Sequence, residues 1–99
     1  MTDGELLAAV GAVGLALVPG GVQLHANGWR SARFTLPAEL GVAQFYVVSL
    51  SPIGHWQCRR DNPNLADDGR GSTFAEALAA FAEHDADLYQ FLRVRRGEA

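Results

Sequence analysis

The chain has 99 residues, 48% of them hydrophobic, and a formal net charge of −3. A chain of this length makes one domain that buries roughly 65% of its unfolded surface, and this composition excludes intrinsic disorder. A single cysteine, Cys58, excludes an internal disulfide framework and suits a reducing compartment.

Thr2-Asp3-Gly4-Glu5 fits a capping box, and Leu6, Val10, Val13 and Leu17 recur at helical spacing behind it. The expectation is a helix running to Val18, with Gly11 and Gly14 as close-packing positions and Pro19-Gly20-Gly21 as its stop. The apolar run from Leu6 to Val18 falls short of the about 20 residues that a bilayer span needs. Asp3 and Glu5 precede it where a signal peptide would carry positive charge. A cytoplasmic location is expected.

Two hairpins should follow, VQLHANGWRSARFTL and VAQFYVVSLSPIGHWQCRR. Ala26-Asn27-Gly28 and Pro52-Ile53-Gly54 both suit a three-residue loop closed by a left-handed glycine. In the first hairpin that register puts Val22, Leu24, Ala32, Phe34 and Leu36 on one face; a two-residue Asn-Gly turn would scatter them. In the second it sets Leu50 opposite Trp56 and Val48 opposite Cys58. The alternative two-residue turn there would bury Phe45 and Val47 instead.

Pro37 to Gly41 reads as a connection, and Asp61 to Ser72 as a polar loop without periodicity. Thr73-Phe74-Ala75-Glu76 is a second capping box, heading a helix with Phe74, Leu78, Phe81, Leu88 and Leu92 on one stripe that Asp85 interrupts. Arg93, Arg95 and Arg96 suit its C-terminal pole. The expected fold is a single α+β domain over 1–99, in the order α-β-β-β-β-α. Its four-stranded antiparallel sheet carries two helices on one face.

Charge is segregated. Residues 21–60 hold Arg30, Arg33, Arg59 and Arg60 against Glu39 alone, whereas residues 61–92 hold seven acids against Arg70. The sheet should be electropositive and the second helix electronegative, which decides what can approach each face.

No motif here carries a reaction. His55 and Cys58 are three apart on a strand and point to opposite faces, so they make neither a metal pair nor a nucleophilic pair. The loop from Asp61 to Gly69 has oxygens but not the ligand spacing of a calcium loop, and Gly69 to Thr73 lacks the P-loop lysine. Trp56-x-Cys58-x-Arg60 followed by Gly71-x-Thr73-Phe74 resembles the end of bacterial frataxins. The acidic first helix and strand expected of that family are missing. Gly71 to Leu78 is similar to antitoxin-like sheet proteins of the HicB kind through generic helix-start residues. Neither assigns a family, and no cofactor, metal or enzymatic activity is expected.

What remains is a surface. The sheet face away from the helices should carry Gln23, His25, Trp29, Ser31, Arg33, Thr35, Phe45, Val47, Ser49, Gln57 and Arg59, without an acid. Tryptophan and arginine concentrate binding energy. His25, Trp29, Arg30, Arg33, Phe45 and Arg59 are therefore the candidate contact residues. The expected function is a small non-enzymatic protein-interaction module, of the inhibitor or adaptor type found on mobile elements. One alternative is single-stranded nucleic-acid or RNA binding through the same face; another is a homodimeric accessory subunit completing another protein's site. The plain packing alternative is that Trp29 folds over Phe45 as a second small core. A protein partner or self-association is expected, and neither a membrane nor a small-molecule substrate.

Overall fold

Both hairpins close on three-residue loops. In the computed structural model, which describes residues 3–18, 20–36, 45–61 and 67–95, the His25 N–H donates to the Trp29 carbonyl at 2.8 Å. The Ser51 N–H donates to that of His55, also at 2.8 Å. Gly28 and Gly54, at φ +88° and +86°, return their N–H groups to His25 and Ser51. A residue with a Cβ would be strained at either place. The Thr2 capping box, the Pro37–Gly41 connection, the strand start at Val42, residues 62–66 of the polar loop and Arg96 lie outside the described residues.

Helix α1 (Asp3–Ala12) leads to short strands β1 (Ala16–Leu17) and β2 (Gln23–Leu24), then β3 (Arg30–Thr35), β4 (Phe45–Leu50), β5 (Trp56–Arg60) and β6 (Asp68–Gly71). Helices α2 (Phe74–Ala82) and α3 (Ala86–Arg95) follow. Among the described residues the sheet is antiparallel and five strands wide, because β1 and β2 share one edge of β3. From there it runs β3-β4-β5-β6 in chain order. The helices cover one face. Ala32, Phe34, Tyr46, Val48, Leu50, Trp56 and Cys58 meet Leu6 and Val10 of α1, Phe74, Leu78 and Phe81 of α2, and Leu88 and Phe91 of α3 in one core. The α+β class and the one-sided helix layer expected from the sequence stand.

Four details differ from expectation. The first helix stops at Ala12. Gly14, at φ +80°, donates to Gly11 at 3.0 Å and Leu15 donates to Val10 at 3.3 Å, a Schellman end sealed by buried Val10 and Leu15. Gly14 is thus a terminator rather than a packing glycine, and Leu17 belongs to β1.

The polar loop contributes a fifth strand, β6. Gly69 and Gly71 face α2, and a Cβ at either would collide with it, so their missing side chains let strand and helix touch. The long second helix is two. Asp85 caps α3, its Oδ1 accepting the Leu88 N–H at 3.0 Å, so the interruption of the apolar stripe is a helix boundary. Leu24, expected in the core, is 64% exposed. It lies on the helix-side face opposite Arg30, at the sheet edge, where α1, packed on β1, gives no cover.

Candidate binding surface

The registers lay the open face out as rows. One row reads Ser31, Ser49, Gln57 and Arg70 across β3 to β6, and the next reads Arg33, Val47, Arg59 and Asp68. Val47 is buried on this nominally open face. Its cross-strand neighbours are the two arginines, whose aliphatic stems are long enough to cover it.

At the hairpin end Trp29 stands opposite His25, half-buried, its ring edge-on to His55 at 6.4 Å. Asn27 fixes the tip by accepting the Trp29 N–H at 3.1 Å. Exposed His25 shares a 2.6 Å hydrogen bond with the Ser31 hydroxyl. The loops of the two hairpins lean together, the side of Gly28 facing Pro52.

The face carries two acids, contrary to the expectation of a face without any. Arg33 Nη1 donates to Asp61 Oδ2 at 3.2 Å. Asp68 faces Arg59 across the β5–β6 ladder, takes a hydrogen bond from Gln57, and pairs with Arg70 Nε at 3.1 Å. Partial burial would raise the Asp68 carboxyl, but the bonds from Gln57 and Arg70 and the charges of Arg70 and Arg59 together hold it below the usual range. Arg59 itself is exposed and makes no ion pair among the described residues.

Of the six candidate residues, His25, Trp29, Arg33 and Arg59 share this face. Phe45 shares it too, 46% exposed, but lies at the other end. Six residues separate the Trp29 and Thr35 rows, a distance of about 20 Å, so Trp29 and Phe45 do not form a second core. Arg30 is on the opposite face and donates to Asp3 at 2.8 Å. It takes no part in the open surface, since the parity of the strand turns it toward α1.

A depression of about 350 Å³ opens on this face, between Gly20 and Gly21 on one side and Arg33, Arg59 and Asp61 on the other. It exists because the edge strand slips: Leu17 pairs with Phe34, yet Gln23 pairs with Ser31. Six residues on the edge therefore span three on β3, and the excess arches away from the ladder. Gly20 and Gly21 take φ +127° and +68°, and nothing stands within 4 Å of where a Cβ would be. A shallower depression shares Arg59 and continues toward Trp29 and His25.

No family model, curated protein or solved structure matches this chain.

A second cluster explains itself as structure. Buried Asp85 accepts from Arg60 Nη2 at 2.6 Å and from the Tyr46 hydroxyl at 2.9 Å, and Asp87 lies 3.4 Å from the same guanidinium. Burial and the bond to Asp85 push the Tyr46 phenol far above its ordinary value, so it remains a neutral donor. Burial, with Asp85 second, likewise raises the Cys58 thiol. A thiol held in that form is a core residue, not a nucleophile.

Sequence reasoning found the arginines and Trp29 but missed Asp61, Asp68 and the Gly20–Gly21 arch. The consecutive glycines after Pro19 and the alternation Asp68-Gly-Arg-Gly71 were the available signals.

Proposed function

We propose that this chain is a small non-enzymatic protein-interaction module, of the inhibitor or adaptor kind, that binds a protein partner through its open sheet face. The observation that carries the reading is Arg59, an exposed cation without an ion pair among the described residues, on a face that no described helix covers and shared by both depressions. Trp29 supplies the aromatic anchor at the hairpin end of that face. Three arginines (33, 59 and 70) against Asp61 and Asp68 leave about one net positive charge on the face. That balance suits a partner of mixed charge better than the phosphate run of a nucleic acid, which is bound by neutralising several phosphates at once.

The test is the affinity of Trp29→Ala for a partner captured from the native host, measured beside thermal stability. Losing a tryptophan that the partner desolvates costs about 2 kcal/mol, or roughly 30-fold in Kd. Arg33→Ala, whose guanidinium Asp61 already pairs, should act mainly through the association rate and its salt dependence. Unchanged affinity with a large loss of stability in Trp29→Ala would reject the reading.

A further inference from the structure

We infer that the depression between the Gly20–Gly21 arch and Arg59 is a seat for one carboxylate, carried by an acidic residue of the bound protein. The inference rests on the open face being the binding surface, and it adds the chemistry that face selects.

The site already displays this chemistry once. Arg33 holds Asp61 through Nη1 at 3.2 Å, a single contact that leaves the other N–H groups of its guanidinium for a second acceptor. Arg59, two strands away across Val47, offers five donors to no carboxylate among the described residues. The opposite wall is glycine main chain with open space where side chains would begin, so an incoming group meets no steric barrier there. His25 and Gln23 add an imidazole and an amide at the margin.

The charge balance sets the valence. Asp61 neutralises much of Arg33, and Asp68 lies across the ladder from Arg59. One planar monoanion can take a forked pair of hydrogen bonds from Arg59, whereas a doubly charged phosphate would face two aspartates. At about 350 Å³ the space is at the small end of ligand pockets, enough for one acidic side chain and its backbone.

The test needs no partner. The ¹⁵N-labelled chain is titrated with N-acetyl-glutamic acid α-amide, with N-acetyl-glutamine α-amide as the neutral isostere, and with inorganic phosphate. The glutamate compound should shift the amides of Gly20, Gly21, Ser31 and Arg59 saturably at low ionic strength. The glutamine compound should not. Arg59→Gln should weaken the effect at least about 10-fold while leaving the rest of the spectrum in place, since Arg59 is exposed. Equal shifts from both amides, an undiminished response in Arg59→Gln, or tighter saturation by phosphate would overturn the carboxylate seat. The Trp29→Ala affinity measurement fails independently: a partner that needs Trp29 but not Arg59 would remove this inference and keep the proposed function.

Discussion

Asp85 and Arg60 meet through a 2.6 Å ion pair in which the aspartate is 2% exposed and the arginine 22%. The same carboxylate caps α3 and accepts from Tyr46. One side chain thus starts a helix, anchors it to the end of β5, and satisfies a buried phenol on β4.

Removing it should therefore do more than lose a cap. Asp85→Ala strands the Tyr46 hydroxyl and takes from the Arg60 guanidinium its shortest ion pair, and should cost about 3–5 kcal/mol, toward the low end because Arg60 keeps Asp87 and some water. Asp85→Asn retains an oxygen for the Leu88 N–H and should be milder by about 1 kcal/mol, the worth of an N-cap. Urea unfolding of both variants checks this, and equal losses would show that the cap contributes nothing.

Gly69→Ala tests the contact between β6 and α2. A methyl there would overlap the Ala77 carbonyl and the Phe81 N–H, and main chain of a packed helix cannot step aside as a flexible side chain can. Overpacking of this kind should cost about 3 kcal/mol. Gly11→Ala, in α1 with nothing within 4 Å of the new methyl, should instead stabilise by about 0.5–1 kcal/mol. The two midpoints moving the same way would contradict the packing.

Acid should weaken the fold through Asp68. Its carboxyl is held below the usual range in the folded state, so its contribution is complete above the unfolded value of about 3.9 and is lost as pH falls through the lower folded value. Exposed Glu76, depressed chiefly by its bonds to Ser72, titrates in the same direction. Asp68→Asn should flatten only part of the fall in urea midpoint between about pH 5 and pH 2.5. An unchanged slope would rule out a role for Asp68.

Cys58 should react slowly with a thiol reagent at neutral pH and rapidly once the chain is unfolded. It has no exposed surface, and burial disfavours the thiolate. Native reactivity equal to that of free cysteine would mean that β5 is turned over.

The two hairpin registers were legible because loop glycines and side-chain alternation agreed. Both signals placed Ala32, Phe34, Trp56 and Cys58 inside, where they are. The end of α1 was not legible, since Leu17 continues the helical spacing by coincidence while Gly14 ends the helix through its backbone. β6 was hidden for a related reason: two of its four residues are glycines, whose burial against α2 leaves no apolar pattern. The candidate surface was half legible. Periodicity put Arg33 and Arg59 on one face, but Asp61 joins it through a tertiary ion pair that no local pattern encodes, and Asp68 through a strand whose alternation carries no apolar residue. Arg30 was assigned to the binding set on its charge, against the parity of its own strand.

The slip between β1 and β2 has a further effect. An edge strand normally offers a row of unpaired peptide groups on which another chain can template itself. Here an incoming strand would be in step with β1 or with β2 but never with both, because the two segments stand three residues apart in register. The interruption that hollows the open face also spoils that edge as a seed for aggregation.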